Sequence, residues 1–159
     1  MNNNFQLDLN LIRNNIEAAL SLLYKNDLLL ITNNTSERAI THKLAEYIEP
    51  KFPDWDVDCE YNQIGEHLPK SILRQHTSFP DVIVHKRGRS NNLLVIEAKN
   101  SYSYHHGDKH DKDKIQAYIE DERYRYKFGV WICFYGKLSE TRRDWFENID
   151  GVCREVIDD

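Results

Sequence analysis

Two short apolar runs, Val82-Ile83-Val84 and Leu93-Leu94-Val95-Ile96, flank the segment Lys86-Arg87-Gly88-Arg89-Ser90-Asn91-Asn92. β-Branched residues fill the runs and turn formers fill the gap, which predicts an antiparallel hairpin. Asp81 and Glu97 each lie eight residues from Arg89, so a turn centred there sets the two acids opposite one another, barring a bulge. Side chains alternate along a strand, so Lys99 projects from the same face as Glu97, and Ile96 and Ala98 from the other. Opposed carboxylates repel and are costly to desolvate, so a strand otherwise made of Leu, Val and Ile does not carry them for stability. A divalent cation resolves the conflict, and hard oxygen donors without cysteine suit Mg²⁺ or Mn²⁺. Such a metal lowers the pKa of bound water and offsets charge growing on a phosphate, while Lys99 steers the water or steadies the transition state. That chemistry is phosphodiester hydrolysis.

The flanking elements follow from periodicity. Ile12, Ile16, Leu20 and Leu23 recur at helical spacing from Leu9 to Tyr24, predicting an amphipathic opening helix. Thr35 is a candidate N-cap for a second helix running to about Ile48, closed by Pro50, with Ile40, Leu44 and Ile48 on its buried face. Strict alternation from Trp55 to Tyr61 predicts a half-buried strand, followed by a loop through Gly65 and Pro69. Ser101 to Asp113 is polar and reads as a loop, Lys114 to Glu122 as a helix, and Phe128 to Tyr135 as a buried strand. Ser139 to Phe146 reads as a short helix, and the remaining tail is ambiguous. The expectation is an α/β (α+β) fold with core order αβββαβ, a mixed central sheet flanked by helices, and an extra N-terminal helix. The strand-helix-strand step from Leu93 to Tyr135 predicts a parallel pair.

At 159 residues the chain has the size of one domain. With 40% hydrophobic and 30% charged residues, its composition is that of a globular protein rather than a disordered or fibrous one. No apolar run approaches the roughly 18 residues of a membrane span, and Met1-Asn2-Asn3-Asn4 lacks signal-peptide character, so a cytoplasmic location is expected. Cys59, Cys133 and Cys153 lie far apart, which signals neither disulfides nor a thiolate zinc site. His105, His106 and His110 flank Gly107 in the polar tract without cysteine or a regular helix to fix them, so zinc is not expected there either. The net charge of -5 argues against binding of nucleic acid through bulk charge alone. Residues 70–127, however, carry 12 basic against 8 acidic side chains, and the rest of the chain 9 against 18.

Pro80-Asp81, the strand that follows, and Glu97-Ala98-Lys99 at the end of the next strand resemble the PD-(D/E)xK nuclease motif, and the expected element order resembles that superfamily's core. The resemblance covers roughly Ser36 to Tyr135 within a single domain spanning 1–159. The stretches Ser36-Glu37-Arg38 and Asp58-Cys59-Glu60-Tyr61-Asn62 are also similar to uncharacterised bacterial members. The resemblance implies that Asp81 and Glu97 bind the metal with the Ala98 backbone carbonyl, that Lys99 is catalytic, and that Glu37 completes the site. Glu37 has independent support, because it shares a helical face with Ile40, Leu44 and Ile48, where an acid needs a reason. The resemblance also places Asp111, Lys114 and Tyr118 where family members contact phosphates or support the site.

Each reading has a plainer counterpart. The tripeptide alone is weak, since Glu49-Pro50-Lys51 and Phe52-Pro53-Asp54 imitate the two halves of the motif away from any hairpin. Glu37 also suits a first helical turn through the helix dipole, by about 0.3 to 1 kcal/mol. Lys114 and Tyr118 also read as a solvated charge and a core aromatic. Lys86, Arg87 and Arg89 could hold a nucleic-acid backbone or simply be a solvated turn. Trp55, Trp131 and Trp145 read as core. The expected function is a Mg²⁺- or Mn²⁺-dependent nuclease, with DNA favoured over RNA. The alternatives are a module of the same fold that binds nucleic acid or protein, either silent or partner-dependent, and another metal-dependent phosphate hydrolase. No separate DNA-reading domain is visible, so specificity would come from DNA structure, a homodimer or a protein partner.

Overall fold

The computed structural model describes residues 8–61, 63, 64, 68, 69, 79–103 and 108–158. Among these residues four α-helices accompany a six-stranded mixed sheet and a separate two-stranded ribbon. Helix α1 (Leu9–Asn26) starts where the Asp8 carboxylate accepts the Leu11 N–H, and it buries Ile12, Ile16, Leu20 and Leu23 as the periodicity predicts. A one-turn helix α2 (Leu28–Thr32) follows, then α3 (Glu37–Ile48), whose N-cap is Ser36 rather than Thr35. Ser36 Oγ accepts the Ala39 N–H, and the Thr35 hydroxyl instead donates to the Leu30 carbonyl.

Strand β1 (Asp56–Cys59) lies at one edge of the sheet. The expected loop after it contains a short ribbon, β2 (Gln63–Ile64) with β3 (Leu68–Pro69), while Gly65 falls outside the described residues. Strands β4 (Val82–His85) and β5 (Asn92–Asn100) form the expected hairpin, pairing Val82 with Ile96, Ile83 with Val95 and Val84 with Leu94. The register slips only between Val84 and His85, toward the turn, where Gly88 adopts φ 69°. That positive φ suits a residue without Cβ.

Helix α4 (Asp108–Glu120) begins six residues before the expected start at Lys114. Asp108 and Asp111 in its first turn favour the helix dipole, and its charged outer face disguised it as a loop. His105, His106 and Gly107 lie outside the described residues, while His110 is exposed on α4. Strand β6 (Phe128–Phe134) returns parallel to β5, as the intervening helix required. The helix expected over Ser139 to Phe146 is absent: a 3-10 turn at Leu138–Glu140 leads into strand β7 (Arg142–Ile149), which pairs antiparallel with β6. Its consecutive Trp145 and Phe146 are both buried, one in the core on each face of the sheet, so the strand shows no simple alternation. The ambiguous tail forms β8 (Val152–Val156).

The spatial order is β1-β4-β5-β6-β7-β8. On one face, α1 and α3 pack on Val82, Val84, Leu94, Ile96, Ala98 and Val130. On the other, Ile115, Tyr118 and Ile119 of α4 pack on Ile83, Val95 and Trp131. Trp131 and Trp145 are buried, Trp55 is half-buried against the core, and the three cysteines are free thiols. Among the described residues no helix is long and apolar enough to cross a membrane.

Close approach of α4 to the sheet depends on Gly129. A Cβ there would stand 2.4 Å from Ile115 Cγ2 and 3.2 Å from Ile119 Cδ1. Gly129→Ala is therefore expected to destabilise the protein by about 1–3 kcal/mol through overpacking, seen as a lower urea midpoint at unchanged slope. An unchanged midpoint would show that α4 moves aside freely.

Candidate functional site

The alternation of β5 decides which of its side chains meet α4. Ile96 and Ala98 enter the α1/α3 core, whereas Glu97 and Lys99 point to the opposite face, beneath α4. Asp81 immediately precedes β4, and extending the Val82–Ile96 pairing by one residue sets it across from Glu97. Its Oδ2 accepts the Ala98 N–H at 2.8 Å, fixing the carboxylate over β5.

Glu97 is only 1% exposed. Its Oε2 accepts a hydrogen bond from Lys114 Nζ at 2.7 Å, and the same ammonium donates to the Phe79 carbonyl at 3.3 Å. Lys99 Nζ lies 3.5 Å from Glu37 Oε2 and 3.5 Å from Asp111 Oδ2, tying the first turn of α3 to the first turn of α4. Glu37 Oε1 also accepts the Asn100 N–H at 3.2 Å. The last residues of β5 thus gather Asp81, Glu97, Asp111 and Glu37 around two ammonium groups, Lys99 and Lys114.

Four carboxylates against two ammoniums leave the cluster short of positive charge. Burial, opposed by the Ala98 N–H and Lys114 and reinforced by Asp111, pushes the Asp81 carboxyl up to about 6. Burial and then the Asp81 charge hold Glu97 well above the usual carboxylate range, although Lys114 pulls it down. Burial alone would lower Lys99, but Asp111, Glu37 and Asp81 outweigh it and leave the ammonium above its ordinary value. Glu97 Oε1 and Asp111 Oδ2 are buried without a hydrogen bond. Buried acceptors of this kind are rare and costly, and water or a cation can satisfy them; for Asp111 Oδ2 the Lys99 ammonium at 3.5 Å already supplies part of that charge. Among the described residues, however, no three or more His, Cys, Asp or Glu side chains are gathered closely enough to hold a metal ion as they stand. Lysine ammoniums occupy the acids instead.

No family model, curated protein or solved structure matches this chain. The site's chemistry therefore rests on its own geometry.

Asp81, Glu97, Lys99 and Glu37, all singled out in the sequence, come together at one end of the sheet. Asp111 and Lys114 join them from α4. Tyr118 is fully buried under the cluster, where burial and the nearby Glu97 charge raise its hydroxyl far above the ordinary tyrosine value. It therefore supports the floor of the site and offers no face to a partner in solution. Lys86, Arg87 and Arg89 sit at the other end of the hairpin. Glu97 lies five residue steps along β5 from Asn92, or roughly 17 Å. Arg87 is engaged there, donating from Nε to Asp58 Oδ2 at 2.8 Å and from its backbone N–H to Asp56 Oδ2 at 2.9 Å. Lys86 Nζ stands 5.2 Å from the Trp55 ring centroid.

Asn100 escaped the sequence reading. It is fully buried, and its Nδ2 donates to the Ile31 carbonyl at 3.2 Å, holding α2 against the end of β5. The one available signal was a carboxamide directly following Glu97-Ala98-Lys99 on an apolar strand.

Proposed function

We propose that the chain is a metal-dependent nuclease of the PD-(D/E)xK type, hydrolysing phosphodiester bonds with DNA favoured over RNA. The observation that carries this reading is the meeting of Asp81, Glu97, Lys99 and Glu37 at one end of β5, in a cluster with more acid than base and two buried carboxylate oxygens lacking hydrogen bonds. The order α3, β1, β4, β5, α4, β6 also resembles the core of that superfamily, with the β2–β3 ribbon as an insertion.

The donor set fits a hard divalent cation such as Mg²⁺ or Mn²⁺. Asp81 and Glu97 would hold it with the Ala98 carbonyl, and Glu37 would complete the acidic wall. Bound there, the ion supplies a water of lowered pKa and positive charge facing the phosphate. The chain's own groups do the rest. Lys99, steadied by Glu37 and Asp111, carries an ammonium that orients the attacking water and offsets negative charge on the phosphoryl oxygens. The Ala98 N–H holds Asp81 in place. Lys114 neutralises Glu97, a charge that a cation held by Asp81 and Glu97 would share. A cytoplasmic location and a homodimer or protein partner that supplies specificity belong to the same proposal.

One observation favours a second reading. Lys114 already satisfies one oxygen of Glu97, and among the described residues no metal-spaced acidic group stands ready. A domain of this fold that binds nucleic acid or protein without cutting, or that waits for a partner, would look the same. Incubation with Mg²⁺ or Mn²⁺ and single-stranded, duplex, branched and RNA substrates separates the two. Cleavage by the parent, with no product above background from folded Asp81→Ala and Lys99→Ala, is the expected result. In parallel, Mn²⁺ at about 100 times its Kd should stabilise the parent by about 2.7 kcal/mol and leave Asp81→Ala unmoved. No cleavage and no metal-linked stabilisation would put the binding module first.

A further inference from the structure

Most aromatic side chains among the described residues are buried or half-buried. Among the described residues Tyr102 is the one exposed aromatic, with 52% of its surface open. It stands three residues beyond Lys99, in the 3-10 turn Ser101–Ser103 that leaves β5 at the end carrying the acid–lysine cluster. Three residues span at most about 10 Å, on the order of three nucleotide rises along a strand.

The backbone of Tyr102 is tied to the end of β5, and its ring runs toward Gly136. Asn100, itself fully buried, accepts the Tyr102 N–H on Oδ1 at 3.3 Å while its Nδ2 holds the Ile31 carbonyl. At the far end of the ring, a Cβ at Gly136 would lie 3.4 Å from the Tyr102 hydroxyl oxygen. The ring therefore reaches from the end of β5 to the residues just past β6, where a glycine leaves it room. An aromatic face anchored through its backbone binds a flat partner with little further loss of conformational freedom.

We propose that Tyr102 is a stacking platform for an unpaired nucleobase beside the phosphate held at the cluster, so that the substrate presents single-stranded nucleotides to this site. The inference rests on the nuclease reading above and narrows its substrate class. Inside a duplex each base is already covered by its neighbours, whereas an unpaired base offers a free π-face. Stacking of this kind tolerates any sequence, because every base has such a face. It therefore suits a chain whose sequence signals no separate DNA-reading domain.

The test is a titration, in metal-free buffer, of a single-stranded oligonucleotide carrying the fluorescent base 2-aminopurine. The parent should quench the fluorescence, and Tyr102→Trp should preserve both quenching and affinity. Tyr102→Ala should bind the single strand about tenfold more weakly, with little quenching and a change of less than about twofold on duplex of the same sequence. Failure of the parent to bind, unchanged behaviour of Tyr102→Ala, or an equal fall on single strand and duplex would overturn the platform. Cleavage of the same oligonucleotide with Mn²⁺ judges the nuclease reading separately. Cutting that is indifferent to Tyr102 keeps the nuclease and removes the platform. Quenching lost in Tyr102→Ala, without any cutting by the parent, keeps the platform on a domain that only binds.

Discussion

Replacing Lys114 with Met is expected to lower the unfolding free energy by about 3–5 kcal/mol at pH 8, because it strands a buried carboxylate. Lys114 Nζ lies 2.7 Å from Glu97 Oε2, and the two side chains are 11% and 2% exposed. Without the ammonium, Glu97 faces the Asp81 charge with one oxygen already lacking a hydrogen bond. Protonation offers Glu97 an escape, which fixes the pH dependence. Its folded-state pKa is already raised by burial and by Asp81, and removing Lys114 raises it further. The folded variant therefore keeps a proton that the unfolded chain gives up in the ordinary glutamate range. Stability falls as pH rises from that range and levels off above the folded-state pKa. Urea denaturation at pH 5 and pH 8 should show the deficit growing with pH. The double variant Lys114→Met/Glu97→Leu should return to within about 1 kcal/mol of the parent, since an apolar pair of similar volume commonly matches a buried ion pair. If Lys114→Met is as stable as the parent at pH 8, the pair is not what holds the charge of Glu97.

The hairpin was legible because its constraint is local. A turn centred on Arg89 pairs Asp81 with Glu97, and the one register slip, between Val84 and His85, falls on the turn side of both. Glu37 was legible because an acid in the stripe of Ile40, Leu44 and Ile48 contradicts simple amphipathicity, and it does reach Lys99 and Asn100. What stayed hidden depends on distant partners. Arg142–Ile149 becomes a strand because β6 has a free edge and β8 a matching one, and nothing in the segment announces either. The first turns of α4 look like loop because Asp108, Lys109, His110 and Lys112 are polar, while Asp111, the one buried residue among them, is charged. Asp111 stays ordered there because it faces Lys99, a contact that spans 12 positions of sequence. Lys114 shows the same limit. A lysine in an amphipathic helix reads as a solvated charge, and only the fold shows that its ammonium lies against Glu97.

Asp81→Asn is expected to stabilise the protein while abolishing cleavage. The Asp81 carboxyl is raised from 3.8 to about 6, chiefly by burial, so the folded state holds its proton more tightly than the unfolded chain does. Between those two values the unfolded chain ionises first, and parental stability declines as pH rises. Above about 6 both states are ionised and the penalty is constant, at about 3 kcal/mol. Asparagine keeps an oxygen for the Ala98 N–H and removes the charge, so most of that penalty should disappear at pH 8 and little should change at pH 4. The comparison requires urea denaturation of both proteins at the two pH values without metal, beside cleavage assays with Mn²⁺. Excess Mn²⁺ should narrow the gap at pH 8 by stabilising the parent alone, because a cation offsets the same charge that the substitution deletes. A variant less stable than the parent at pH 8 would mean that Lys99 and Lys114 already compensate Asp81, and the electrostatic case for a metal would fall with it. A more stable, inactive variant would mark Asp81 as a residue kept at a cost to the fold, as acids are when their work is to bind a cation rather than to hold a strand in place.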